Sequence, residues 1–204
     1  MMEPHKFPGQ TATFKNIAKD HSEFLYKILE RKLENLNGVD VRSEYKIATY
    51  DRYLLPSMRY HLSIHNIHQT HLDLLASKYL KTWAGIPSRG CTNLSLFHPF
   101  LMGLKTPSQL YLEGHAGNYM SCKVKADSNV NLALQSQLSR ESQWVGKSST
   151  LVQCQNIFDR VEENIMIPTV NNCANLQSTL RKQLPILREA TRKEVQQEYL
   201  RKTE

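Results

Sequence analysis

The segment from Thr70 to Gly85 constrains this chain more than any other. Leu72, Leu75, Ala76, Tyr79, Leu80 and Trp83 recur there at three- and four-residue intervals, which gathers them on one side of a helix. Both ends are signposted. Thr70 stands three residues before Asp73, a spacing in which a hydroxyl and a carboxylate satisfy the unpaired N–H groups of a first turn, and Gly85 followed by Ile86-Pro87 supplies the stop. Lys78 and Lys81 fall off the apolar stripe. The expected element is buried on one side and cationic on the other.

The flanking chain reads mostly as helix. Asp20 with Glu23 marks a start, and Phe24, Leu25, Ile28, Leu29, Leu33 and Leu36 form a stripe that ends at Asn37-Gly38. A second helix is expected from about Asp40 through Tyr45, Ile47, Ala48 and Leu54, apolar on more than one side and so buried in a bundle, with Pro56 interrupting it. Beyond the proline, Met58 to Ile64 fits strand alternation and helical spacing equally well. After an irregular connection from Ile86 to Lys105, Thr106-Pro107 reads as an N-cap with proline in the first turn, opening a helix through Leu110, Gly114, Gly117 and Met120 whose small residues suit close packing. Further helices are expected over 128–144, 149–165, 174–184 and 185–202. The last has only a thin apolar stripe, with Glu189 to Lys193 and Glu198 to Lys202 at the i,i+4 order of a solvated face. Lys6-Phe7 and Thr11 to Lys15, joined through Pro8-Gly9-Gln10, have the spacing of a hairpin. The fold class is mostly α: an irregular bundle of six to eight helices with a short N-terminal β-hairpin.

Charge and cysteine usage narrow the setting. A formal charge of +7 over 204 residues favours anionic partners without singling out nucleic acid. Cys91, Cys122, Cys154 and Cys173 are far apart, with no C-x-x-C pair and no histidine at zinc-finger spacing, as for reduced thiols of a cytoplasmic or nuclear protein. The N-terminus lacks an apolar signal core, and no apolar run reaches the roughly 18 residues of a membrane span. A soluble intracellular chain, or a piece of one, is expected. No heptad run speaks to oligomeric state.

An ordered series of residues resembles the thumb of reverse transcriptases from non-LTR (LINE-like) retrotransposons. It comprises Tyr53-Leu54-Leu55-Pro56, Tyr60, Leu62, Leu75, Tyr79-Leu80-Lys81-Thr82-Trp83, Gly85-Ile86-Pro87, Asn93, His98, Gly103-Leu104 and Pro107-Ser108. The flanks extend the likeness over about residues 6–155. Phe7-x-Gly9-Gln10 with Thr13-Phe14 looks like the primer-holding end of the palm, and Asn131-x-Ala133-Leu134 with Glu141-Ser142-Gln143-Trp144 resembles the segment after the thumb. On this resemblance the chain divides into a primer-grip-like hairpin (1–19), a thumb-like helical core (20–126) and connection helices (127–167); by composition alone a basic C-terminal helical extension (168–204) follows. The resemblance also implies that 58–64 is helical, and that the partner is a template–primer duplex, RNA–DNA or DNA. Apart from the resemblance, the sequence gives no ground to expect membrane contact or a cofactor.

Duplex phosphates reward Lys and Arg on a rigid surface. Lys78, Lys81 and Arg89 are the first candidate contacts, with Lys46, Arg52 and Arg59 behind them. Tyr79 and Trp83 have rings that could stack on bases, but their place in the apolar stripe assigns them to the core. Two departures from the family matter. Phosphoryl transfer needs carboxylates set to hold divalent metals, and the family's palm supplies them through adjacent aspartates; here Asp20, Asp40, Asp51, Asp73, Asp127 and Asp159 are scattered. The chain is therefore expected to have no polymerase activity of its own, and a palm carried by another chain is one partner that this reading allows. Pro8 stands where relatives place an apolar residue, and its missing N–H weakens the strand.

Other chemistries find less support. His61, His65, His68 and His71 have a spacing that could align imidazoles on one helical face, but Asn66 to Thr70 reads as a turn that separates them, so no metal site is assigned. No G-x-S-x-G and no glycine-rich phosphate loop occurs, and neither Cys91 nor Cys154 has a nucleophile's local signature. The leading expectation is a truncated or co-opted fragment that holds nucleic acid without catalysis. The alternatives are a helical protein-interaction scaffold with no nucleic-acid ligand and a decayed reading frame.

Overall fold

The computed structural model describes residues 5–7, 10–12, 17–64, 67, 69–87, 94–97, 102–124, 128–146, 149–162, 178, 181–183, 185–193 and 197. Most of them are helical. His5–Phe7 and Gln10–Ala12 run antiparallel with Phe7 opposite Gln10, a pairing only three residues deep. The chain forms two compact units, 1–111 and 112–204, the division falling inside one helix.

In the first unit, α1 (Ile17–Gly38) packs against α5 (Gln69–Trp83). The contact follows from two periodic stripes. Leu25, Leu29 and Leu33, one turn apart on α1, are fully buried, and Leu72, Leu75, Ala76, Leu80 and Trp83 on α5 are buried. Phe24, expected in the α1 stripe, is 43% exposed instead, because its place on the wheel lies at the stripe's edge. The helix also starts before Asp20, so that residue does not cap it.

Between these helices, 43–64 is helical almost throughout, which settles the ambiguity of 58–64. It comprises α2 (Ser43–Thr49), a π-helical turn (Tyr50–Leu54), α3 (Leu55–Ser57) and α4 (Arg59–Ile64). Pro56 does not end the run: the turn before it widens, with the Leu55 N–H reaching back to the Tyr50 carbonyl, and both Leu54 and Leu55 keep right-handed helical torsions. A widened turn accommodates a ring that would otherwise strike the preceding turn and a nitrogen that cannot donate. The start lies at Ser43 rather than Asp40, and no residue of α2 is fully buried; Tyr45 is 63% exposed. Tyr50, Leu54, Leu55, Met58 and Leu62 supply the segment's inward side.

The end of α5 matches its sequence. Gly85 adopts φ +66°, the Ile86 N–H reaches the Lys81 carbonyl at 2.9 Å and the Gly85 N–H that of Thr82 at 3.3 Å. That pair of bonds is the Schellman arrangement, in which a left-handed residue closes the last turn. Its beginning does not match. The helix opens at Gln69, so Thr70 is an exposed residue inside it, and Asp73 turns its carboxylate to another helix.

That other helix is α7 (Pro107–Val124), reached after the short α6 (Leu94–Phe97). Thr106 Oγ1 accepts the Gln109 N–H at 2.9 Å, completing the cap with Pro107 in the first turn, and Asp73 Oδ1 accepts the Ser108 N–H at 2.9 Å. Two of the four N–H groups that a helix start leaves unpaired are thereby satisfied.

In the second unit, Leu112, Ala116, Tyr119 and Met120 of α7 form one core with Cys154, Ile157 and Phe158 of α9 (Thr150–Glu162) and with Leu187. Tyr119 and Phe158 meet edge to face with ring centroids 5.6 Å apart. On α7 it is Ala116 that is fully buried, while Gly114 and Gly117 are only half-buried. α8 (Ser128–Trp144) is amphipathic only weakly and packs on α9 through Leu134 and its neighbours. Gly146, at φ +64°, turns the chain, and buried Ser149 joins the two helices: its hydroxyl donates to Glu141 and accepts the Val152 N–H. The segment 185–193, expected to be solvated, is helical and contributes Leu187 and Thr191 to the interior. Its charged pair is Arg192 with Glu189 at 3.9 Å, not Glu189 with Lys193. A thin stripe suffices when a neighbouring core has room for one leucine.

Candidate nucleic-acid interface

The outer side of α5 carries the first two candidate cations. Lys78 is exposed, with its Nζ 5.9 Å from the ring centroid of Tyr79, inside the range of a cation–π contact. Lys81 is half-buried and engaged within the fold. Tyr79 lies between the core and this edge, half-buried and tilted against Trp83 at a centroid distance of 6.0 Å. Burial raises the pKa of its hydroxyl, and the carboxylates of Glu34 and Glu30 on α1 raise it further. The cationic edge of α5 therefore has two carboxylates of α1, Glu30 and Glu34, near Tyr79. Trp83 is buried, and its indole N–H donates to Asn37 Oδ1 at 2.8 Å, so this ring serves packing.

The other candidates are divided. Lys46 on α2 donates from Nζ to the Asn37 carbonyl at 2.7 Å, a cation set on the C-terminal end of α1 where the helix dipole favours it. Arg52 is exposed on the π-helical turn, and Arg59 is half-buried and engaged within the fold. Arg89 lies outside the described residues. Fold and charge thus bring Lys46 to the Asn37–Trp83 junction at one end of α5, and Lys78 and Arg52 are the exposed cations among the described members of the set.

Sequence reading overlooked an aromatic feature. Tyr45, Tyr53 and Tyr60 are 63%, 72% and 58% exposed, on the side of 43–64 away from Tyr50, Leu54, Leu55, Met58 and Leu62. Their seven- and eight-residue spacing was the available signal. It was hidden because tyrosine counts as apolar in a hydrophobic pattern.

Among the described residues no group of three or more His, Cys, Asp or Glu could hold a metal ion; His61 is half-buried, His71 is exposed, and His65 and His68 lie outside the described residues. Among the same residues no helix is long and apolar enough to cross a membrane. Comparison with protein-family models, with curated proteins and with solved structures gives no match.

Proposed function

We propose that the helical unit around α1 and α5 holds a nucleic-acid duplex by its phosphates and does no phosphoryl transfer of its own. The reading joins the likeness of 6–155 to the thumb of non-LTR reverse transcriptases, and of the N-terminal pairing to a primer grip, with one observation: Lys78 stands exposed on a helix whose opposite side is anchored through Trp83. Phosphate binding rewards a cation on a rigid support, since little further freedom is lost on contact. The absence of adjacent aspartates from the chain supports a holding role rather than a catalytic one. The test is retention on an immobilised RNA–DNA duplex. Binding should fall as salt rises, and changing Lys78 and Lys81 together to Glu should abolish it. Equal retention of the double variant would reject the reading, and primer extension with dNTPs and magnesium would reject the non-catalytic part.

A second reading is a protein-interaction scaffold. It is favoured by α8, where Leu132 is 63% and Trp144 83% exposed. A chain that retains no duplex at low salt supports it.

A further inference from the structure

The exposed side of 43–64 has an unusual composition for solvent. Tyr45, Tyr53 and Tyr60 show most of their rings there, and Arg42 and Arg52 are exposed among them. Lys32 of α1 comes to the same segment, its amine donating to the Ser57 hydroxyl. The carboxylates that the segment itself carries are Glu44 and Asp51, so cations outnumber anions along it. The π-helical turn contributes by its extra residue, which places Arg52 and Tyr53 outward together while Tyr50 and Leu54 remain buried.

From this geometry we infer that the Tyr45–Tyr53–Tyr60 stripe is a binding surface for a single-stranded polynucleotide, whose unpaired bases stack on the tyrosine rings while Arg52, Arg42 and Lys32 meet its phosphates. The chemistry separates it from the duplex-holding edge of α5. Paired bases hide their faces in the stack and offer a protein only phosphates and groove edges, so an exposed ring gains little from a duplex; a single strand presents the faces themselves. Charge complementarity selects the polyanion over an apolar protein segment, which would leave the arginines without partners. The inference concerns a different surface and a different strand state from the function proposed above, and does not depend on that function.

The experiment is fluorescence anisotropy of labelled oligouridylate and oligothymidylate with the full chain. Wild type should bind at low salt and weaken as salt rises. Tyr53→Ala and Tyr60→Ala should each weaken binding by about 5- to 100-fold, whereas Tyr53→Phe and Tyr60→Phe should stay within about twofold, because the ring and not the hydroxyl makes the stack. Circular dichroism identical to wild type identifies the loss as one of contact, and these rings are exposed enough to be removed without unfolding. The Lys78, Lys81 double Glu variant should lose duplex retention yet keep its single-strand affinity, so failure of one reading is distinguishable from failure of the other. Binding of either oligonucleotide supports the stripe, and their ratio tells which sugar it prefers. No binding of either strand, alanine variants equal to wild type, or phenylalanine variants as weak as alanine ones would overturn it.

Discussion

Trp83 and Asn37 are joined side chain to side chain, the indole N–H donating to the amide oxygen at 2.8 Å across 46 residues of chain. Asn37 is also the residue whose main-chain carbonyl receives Lys46 Nζ, so the end of α1 is tied to both α5 and α2. A buried indole N–H that loses its acceptor forfeits its water without recompense. Asn37→Ala should therefore destabilise the fold by about 1–2 kcal/mol in urea unfolding. In the Trp83→Phe background, where no donor remains, the same change should cost clearly less. Additive losses in that double-mutant cycle would show that the pair is not coupled.

The start of α7 is capped from two places, by Thr106 locally and by Asp73 from α5. Removing either acceptor should cost about 1 kcal/mol. The two changes should be distinguishable by amide hydrogen exchange: Asp73→Ala should speed exchange first at Ser108, and Thr106→Ala first at Gln109. An unchanged Ser108 amide in Asp73→Ala would mean that the carboxylate does not cap this helix in solution.

Cys154 and Cys122 are both free thiols, one buried and one half-buried. Burial pushes the Cys154 pKa up to about 12 from an ordinary 9.0, so in the folded protein it stays a neutral, unreactive thiol at physiological pH. As pH rises past 9.0 the unfolded chain ionises this thiol while the folded one does not, so stability falls between there and about 12. Below 9.0 the group contributes no pH dependence. Iodoacetamide at neutral pH followed by mass spectrometry should label Cys122 ahead of Cys154, with Cys154 reacting only as fast as the protein opens; equal rates for the two would contradict this.

Leu187 is 1% exposed, whereas its neighbour Ile186 is 44% exposed. Leu187→Ala should cost about 2–4 kcal/mol, since it deletes a branched side chain from the core formed with Tyr119 and Phe158, while Ile186→Ala should stay within about 0.5 kcal/mol. Thermal or urea unfolding of the two single variants is the measurement. Two equal and small effects would place 185–193 in solvent.

Helical periodicity, the Gly85 stop of α5 and the Thr106-Pro107 start of α7 were legible in the residues themselves, because each is decided within one or two turns of chain. The apolar stripe of α5 was legible for the same reason, and so was the placing of Lys78 away from it. Which acceptor serves which N–H was not. Asp73, spaced as a cap for its own helix, caps another, and Lys46, read as a candidate phosphate contact, is set on a carbonyl of α1; both outcomes depend on what packing brings near. The tyrosines of 43–64 carry the same lesson: a ring with a hydroxyl suits core and solvent alike, and only the widened turn before Pro56, formed under the buried Leu54, Leu55 and Met58, decided which of them face outward. Local sequence determines where helices begin and end, since those free energies are local. Which polar groups find one another, and which rings remain in water, is settled by contacts between distant segments that no short window of sequence contains.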